Sequence, residues 1–140
     1  MNLKIESNKA PKAIGPYSQA IKTDNGFLYV SGSLGFNPET GLFEADDIKV
    51  QTRQSLENMK AILEEAGYSF KDVVKTTVLL KDINEFGAMN EIYNEYFSDP
   101  YPARIAFEVG ALPKNGRVEI EAVAYKDWLQ KFKKYMKSHF

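Results

Sequence analysis

Apolar residues first recur at three- and four-residue intervals between Ile48 and Ala66. This spacing places them on one side of a helix and predicts an amphipathic helix over residues 48–66. Asp46 or Asp47 can cap its start, and Gly67 can end it. The apolar side of this helix consists of Leu56, Met59, Ile62, Leu63 and Ala66.

The same periodicity returns after Asp82 and predicts a second helix. Glu85 stands three residues after Asp82, the spacing of a capping box, and Ser98-Asp99-Pro100 stops the helix. Its inward side is expected to carry Phe86, Met89, Ile92, Tyr93, Tyr96 and Phe97.

Shorter apolar runs, rich in β-branched residues, predict strands. Residues 18–22 and 27–31 flank Asp24-Asn25-Gly26, a strong signal for a hairpin turn. Residues 73–80 form an almost continuous apolar run, which is typical of a central strand. Residues 31–41 contain three glycines and are interpreted as a loop in which the backbone can approach a ligand closely.

Two further strands are predicted at residues 104–109 and 117–125. Pro113 and Asn115-Gly116 lie between them and favour a hairpin connection. The resulting order of hairpin, helix, strand, helix and hairpin indicates an α+β domain with two helices on one face of a mostly antiparallel sheet. The other face retains apolar residues that need a cover, so we expect a homo-oligomer.

Composition narrows the possible chemistry. With 140 residues, 44% apolar and 26% charged, the chain is expected to form one globular domain. Its net charge of -1 argues against nucleic acid as a partner, and no run is long enough to span a membrane. Cysteine is absent and the single histidine is His139, which excludes thiol catalysis and most histidine-based triads and metal sites. No targeting segment is recognisable at the start, so a cytoplasmic protein is expected.

Charged residues in the last two predicted strands suggest a site. Arg104 stands among apolar and small residues, where a planar guanidinium would suit a carboxylate ligand. Glu119 and Glu121 alternate with apolar residues and therefore share one face of their strand. Such a face either meets solvent with ordinary polar residues or forms a site in which a glutamate holds a water or moves a proton.

Residues 126–140 predict a final helix with an aromatic stripe and lysines at positions 131, 133, 134 and 137. A basic amphipathic helix of this kind can contact a membrane or an acidic partner. Docking on its own protein is the commoner outcome, and we expect it here, with no membrane partner. This segment is treated as an extension of a domain formed by residues 1–125.

Five segments resemble the RidA (YjgF) family of reactive-intermediate deaminases, along about residues 5–125. They are Ala-Ile-Gly-Pro-Tyr-Ser-Gln-Ala, Tyr-Val-Ser-Gly-Ser-Leu-Gly-Phe-Asn-Pro-Glu-Thr-Gly, Thr-Arg-Gln-Ser-Leu-Glu-Asn-Met-Lys-Ala-Ile-Leu-Glu-Glu-Ala-Gly, and Pro-Ala-Arg-Ile-Ala-Phe-Glu-Val with the later Val-Glu-Ile-Glu-Ala-Val-Ala. The resemblance implies a chorismate-mutase-like fold, a homotrimer, and a ligand cleft between subunits.

The resemblance also implies hydrolysis of 2-imino acids to 2-keto acids and ammonia, without metal or organic cofactor. Arg104 falls on the position that binds the substrate carboxylate, and Glu119 on the position associated with water or proton transfer. The remaining cleft positions fall on Tyr17, Ser31, Asn90 and Ala106. Many members place a cysteine where Ala106 stands, so no thiol step is available here.

From the residues alone, the favoured interpretation of Tyr17 is an ordinary half-buried aromatic. That of Asn90 is a satisfied polar residue at the margin of a helix. Two other functions are alternatives to deaminase activity. One is a non-catalytic protein that binds a small carboxylate in the same cleft. The other is RNA cleavage, which the near-zero net charge argues against.

Overall fold

A computed structural model describes residues 1–140, except for the side chain of Lys131. Six strands and three α-helices follow one another along the chain. They are β1 (Leu3–Ile5), β2 (Ala20–Lys22), β3 (Phe27–Leu34), α1 (Ile48–Glu65), β4 (Val73–Leu80), α2 (Phe86–Tyr93), β5 (Ala103–Glu108), β6 (Val118–Tyr125) and α3 (Trp128–His139).

All six strands form a single sheet in the order β1-β2-β3-β6-β4-β5. Every neighbouring pair is antiparallel except β4 and β5, which run parallel. Helices α1 and α2 pack against each other, and their buried side chains share one core with buried residues of the sheet. The predicted α+β class, with a mostly antiparallel sheet and two helices on one face, is confirmed.

The predicted hairpin between the strands at 104–109 and 117–125 is wrong, because β4 lies between β5 and β6. The connection crosses the end of β4, where Leu80 O accepts from Val109 N at 2.9 Å and Arg117 O accepts from Lys81 N at 2.9 Å. Residues Pro113–Asn115 form a 3₁₀ turn in this connection rather than a two-residue hairpin loop. A strand as apolar as β4 is most stable with a neighbour on each side, and this arrangement supplies both.

Three other boundaries differ from prediction. Strand β3 continues through Leu34, so residues 31–34 belong to a strand and not to the predicted loop. Strand β1 was not predicted. The second helix is interrupted: a 3₁₀ turn over Ile83–Glu85 precedes α2, which ends at Tyr93. Glu85 does not complete a capping box, because its carboxylate accepts a 2.9 Å hydrogen bond from Arg117 Nη1.

Alternation along β6 divides the sheet into a covered and an open face. Val118, Ile120, Ala122 and Ala124 are buried beneath the helices. Glu119 and Glu121 point to the opposite, open face, as predicted. Large apolar side chains that remain exposed on the sheet include Tyr29, Val74, Ile105, Phe107 and Tyr125.

The final helix is present, and its first residue anchors it to the domain. Trp128 Nε1 donates to Tyr68 Oη at 3.2 Å, and the two rings meet edge to face with centroids 5.7 Å apart. Beyond Trp128 the apolar stripe is exposed, so the expected docking is confined to the start of α3. The predicted contribution of Lys131 concerns a side chain outside the described part of the structure. Among the described residues, no helix is long and apolar enough to cross a membrane.

Candidate active site

Arg104 lies on β5, at the edge of the sheet, and points to the side occupied by α2. Its Nη1 donates a 2.7 Å hydrogen bond to Oδ1 of Asn90. Its guanidinium carbon lies 4.8 Å from the ring centroid of Tyr93 and 5.2 Å from that of Phe86. Phe86, Asn90 and Tyr93 are four and three residues apart, so one face of α2 presents all three to the arginine.

Tyr93 is a fixed support for this guanidinium. It is almost completely buried, and its hydroxyl forms a 2.8 Å hydrogen bond with Thr76 Oγ1, itself buried on β4. Burial raises the pKa of the Tyr93 phenol, so the ring remains neutral beneath the cation. The aromatic face attracts the guanidinium without neutralising it.

Arg104 differs from the other two arginines in its charge environment. Arg53 forms an ion pair with Glu95 at 2.9 Å, and Arg117 pairs with both Asp46 and Glu85. Within the described part of the chain, no carboxylate lies within 4.0 Å of the Arg104 guanidinium. A half-buried cation supported by an amide oxygen and two aromatic rings is suited to bind an external carboxylate.

Glu119 occupies the open face of β6 and is half-buried. Its carboxylate lies against Gly32, where an added Cβ would come within 2.5 Å of Oε2. Burial raises the pKa of Glu119, and the nearby Glu121 raises it further. A carboxyl group with a raised pKa can exchange protons closer to neutral pH, as a general base or acid requires.

Gly32 and Ser31 form an irregularity in β3. Val30 pairs with Ala122 and Ser33 with Ile120, so two residues of β3 stand opposite the single residue Glu121. This is the two-against-one arrangement of a β-bulge, a feature common beside active sites. Ser31 Oγ donates a 2.6 Å hydrogen bond to the carbonyl of Ser18.

Tyr17 lies in the irregular segment before β2 and is 54% exposed. Its hydroxyl accepts a 3.4 Å hydrogen bond from the backbone N–H of Ile14. Gly15 begins this turn with a φ of 132°, a conformation that only glycine adopts readily. Residues 11–18 form no helix or strand, and this irregular segment presents the Tyr17 ring to solvent.

The predicted site residues form two separate groups in a single chain. Arg104 contacts Asn90, and Ala106 follows two residues later on the same face of β5. Glu119 lies on the opposite face of the sheet, with β4 between its strand and β5. One chain therefore does not bring Arg104 and Glu119 into a common pocket.

Sequence reasoning missed the roles of Phe86, Tyr93, Thr76 and Gly32. The two aromatic residues were predicted to face the core, and their spacing around Asn90 is the signal that could have identified a support for Arg104. Thr76 and Gly32 carry no comparable signal, because their contacts depend on strand order and on the bulge. Among the described residues, no group of three or more His, Cys, Asp or Glu side chains could hold a metal ion.

Comparison with known proteins places this geometry in a family. The model of a family described as endoribonuclease L-PSP matches residues 7–126. A RutC family protein of Pyrococcus horikoshii is 58% identical over 88% of this chain and 97% of its own length. The human protein named 2-iminobutanoate/2-iminopropanoate deaminase is 52% identical over 86% of this chain and 87% of its own.

A solved structure gives the same result for the fold. RidA from the Antarctic bacterium Psychrobacter sp. PAMC 21119 is 49% identical and aligns with a TM-score of 0.84 over 89% of this chain and 99% of its own. Fold, family match and sequence identity agree along almost the whole length of these relatives. The chain therefore belongs to the RidA (YjgF) family, which the endoribonuclease L-PSP model describes.

Proposed function

We propose that this protein is a 2-imino acid deaminase, which hydrolyses small substrates such as 2-iminopropanoate to 2-keto acids and ammonia. The observation that carries the proposal is the Arg104 guanidinium, half-buried on aromatic rings and lacking a carboxylate partner among the described residues. A 2-imino acid supplies that carboxylate. The names of relatives about half identical to this chain, such as the human 2-iminobutanoate/2-iminopropanoate deaminase, support the same reaction.

Arg104 orients the substrate in this mechanism. One N–H group of the guanidinium is held by Asn90, which fixes the plane in which the others can bind two carboxylate oxygens. Ala106, on the same face of the strand, contributes only a methyl group beside that position. Holding the acid in this way places the adjacent imine carbon at a fixed point for attack by water.

Glu119 transfers the protons in this mechanism. A protonated imine carries a positive charge on nitrogen, which makes its carbon electrophilic. Glu119 takes a proton from water as the oxygen bonds to this carbon, giving a carbinolamine, and then returns the proton to the nitrogen. As the carbon–nitrogen bond breaks and ammonia leaves, Glu119 takes the hydroxyl proton, and the carbonyl of the keto acid forms. Transfer of that proton to the ammonia gives ammonium and restores the carboxylate. This hydrolysis transfers no electrons to a cofactor and needs no covalent enzyme intermediate.

The two groups of site residues support a homotrimer with the cleft between neighbouring copies. Arg104 and Asn90 face α2, whereas Glu119 lies on the open face beside the Ser31–Gly32 bulge. A second copy packed on that open face would cover its exposed apolar residues and bring a Glu119 to an Arg104. In this arrangement Tyr17 and Ser31 shape the cleft from the glutamate side.

The proposal includes a cytoplasmic location, to be tested by fractionating cells and assaying each fraction for the protein.

The description of the matched family names an endoribonuclease, but the geometry around Arg104 favours a small carboxylate over RNA hydrolysis. The single histidine, His139, stacks on Tyr135 within α3, at a ring distance of 3.9 Å.

The direct test measures decay of an imine generated in situ by an amino-acid oxidase, with semicarbazide trapping to follow it. Wild-type protein should accelerate decay, and Arg104→Ala should lower kcat/KM by about 100-fold, because a charge-assisted bidentate contact is lost. Arg53→Ala is the matched control. It removes an arginine from a surface ion pair and should leave the rate unchanged.

Equal rates for wild type and Arg104→Ala would contradict the assignment of Arg104. No acceleration by the wild type would contradict deaminase activity itself. In that case, binding of a 2-keto acid to the wild type but not to Arg104→Ala would favour the alternative of a non-catalytic carboxylate-binding protein.

A further inference from the structure

The helix α3 lies outside the part of the chain that the family shares. The family match ends at residue 126, and α3 runs from Trp128 to His139. Asp127 caps the helix by accepting a 2.9 Å hydrogen bond from Gln130 N. Trp128 attaches the helix to the domain through its hydrogen bond to Tyr68. The helix is therefore an addition to the deaminase domain with a defined attachment point.

Charge is distributed unevenly between this tail and the rest of the protein. Residues 128–140 contain four lysines and no acidic residue. The whole chain has a net charge of -1, so the tail carries +4 and residues 1–127 carry -5. A cationic segment attached to an acidic body is expected to contact an anionic partner through the segment alone.

The apolar side of α3 has no cover in the described structure. Leu129, Phe132 and Met136 follow one another at intervals of three and four residues, and Tyr135 lies beside them. Leu129 is 64% exposed, Phe132 58% and Tyr135 53%. The hydrogen bonds and the ring contact of the described side chains of residues 129–140 all lie within the helix and its cap.

The two sides of α3 together identify the kind of partner. Lys133, Lys134 and Lys137 lie away from the stripe of Leu129 and Phe132, so one side of the helix is cationic and the other is apolar and aromatic. A helix of this type lies in the plane of a lipid interface, with aromatic rings at the level of the acyl boundary and lysines reaching the head groups. RNA or an acidic protein surface without an apolar groove would satisfy the lysines but leave the broad aromatic stripe without an apolar environment.

We propose that α3 is a peripheral membrane anchor that binds the surface of anionic phospholipid bilayers. This function is separate from the deaminase reaction and does not depend on it. Attraction between lysines and anionic head groups brings the helix to the bilayer, and insertion of the apolar stripe holds it there. Trp128 stays on Tyr68, so the anchor keeps the catalytic domain close to the membrane.

The first experiment measures co-sedimentation of the full chain with vesicles. Vesicles of phosphatidylcholine with about one-third phosphatidylserine should bind the protein roughly 10-fold more tightly than phosphatidylcholine alone. Added salt should weaken this binding, because it screens the lysines.

Two variants separate the contributions of charge and apolar contact. Lys133→Gln/Lys134→Gln/Lys137→Gln and Leu129→Ser/Phe132→Ser should each reduce vesicle binding about 10-fold. The matched control, Lys9→Gln/Lys60→Gln/Lys71→Gln, removes the same charge from exposed positions of the body and should bind like the wild type. Imine hydrolysis and melting temperature should be unchanged in all three, which establishes that they fold.

Several results would overturn the proposal. These are absence of wild-type binding to the anionic vesicles, equal binding to neutral vesicles, and equal losses in the tail and body lysine variants. Binding of an RNA oligonucleotide without binding of vesicles would identify a different polyanion. A lower sedimentation mass for Leu129→Ser/Phe132→Ser would show instead that the stripe contacts another copy of the chain.

Discussion

Gly32 is adjacent to the proposed proton-transfer group and leaves no room for a side chain. A Cβ at this position would come within 2.5 Å of Glu119 Oε2 and 2.9 Å of its carboxyl carbon. The glutamate side chain would have to move, whereas the backbone of the bulge would not. A side chain at position 32 would therefore displace the Glu119 carboxylate without disrupting the fold.

Gly32→Ala should accordingly lower kcat by about 10-fold or more while changing the melting temperature little, because a small displacement of a catalytic group is costly. Gly87→Ala is the matched control, since an added Cβ there has no atom within 4 Å. Steady-state imine hydrolysis and thermal unfolding of both variants provide the measurements. A large loss of stability with unchanged kcat in the folded protein would contradict this role for Gly32.

Glu121 modulates the ionisation of Glu119. Burial is the larger cause of the raised pKa of Glu119, and Glu121 is the second. A general base must be ionised, so the rate should fall as pH drops through this raised pKa, above the usual value of about 4.3. Glu121→Gln removes only the second cause. It should move the acidic limb of the kcat/KM profile to lower pH, but not as far as the ordinary glutamate value.

The control for this pH profile is Glu119→Gln, which should lower activity by about 100-fold and remove the acidic limb altogether. An identical limb in wild type and Glu121→Gln would mean that another group controls it.

Helix α2 holds Arg104 in place through a contact with β4. Tyr93→Phe removes the hydroxyl that bonds Thr76 and leaves the buried threonine hydroxyl without this partner. We expect a loss of about 1–2 kcal/mol in the free energy of unfolding. Thr76→Val added to Tyr93→Phe removes both polar groups and should recover much of that loss, as urea unfolding of the single and double variants would show.

Imine hydrolysis by the same variants tests the link to Arg104. The phenyl ring of Tyr93→Phe still supports the guanidinium, so the rate should change less than in Arg104→Ala. Stability losses that simply add in the double variant would contradict the proposed pairing of the two hydroxyl groups.

Elements defined by local signals could be predicted from the sequence. The helix at 48–65 has an apolar period from Leu56 onward and an aspartate cap, and Asp47 does accept from Val50 N at 2.9 Å. The hairpin around Asp24-Asn25-Gly26 has a strong turn signal and is present. The strands at 103–108 and 118–125 were also located, but their pairing was not. Pairing depends on which strand occupies the space between them, and the local sequence does not record this.

The candidate site shows the same limit. Arg104 stands out as a cation in an apolar strand, but its contact with Asn90 follows from the packing of α2 against β5. Glu119 and Glu121 were correctly placed on one face by the two-residue period of a strand. Arg104 lies on the opposite face of the sheet from these glutamates. This relation depends on the position and pairing of β5, so local patterns could not predict it.

At the scale of the whole molecule, the separation of Arg104 from Glu119 leads to a test of assembly. Arg104→Ala and Glu119→Gln should each be almost inactive. When the two are mixed, dissociated and reassembled, a cleft between copies can combine the intact Glu119 of one variant with the intact Arg104 of the other. With equal amounts and random assembly, about one quarter of the clefts should be complete.

Imine hydrolysis by the reassembled mixture should therefore recover to roughly one quarter of the wild-type rate, because each complete cleft works independently. The control mixes Arg104→Ala with the double variant Arg104→Ala/Glu119→Gln, which contains no intact Arg104 and should stay inactive. Recovery in the first mixture alone would require the two residues to act from different copies. If light scattering shows mixed oligomers and activity still does not return, Arg104 and Glu119 do not act in one cleft across an interface. The exposed apolar face of the sheet would then need a different explanation.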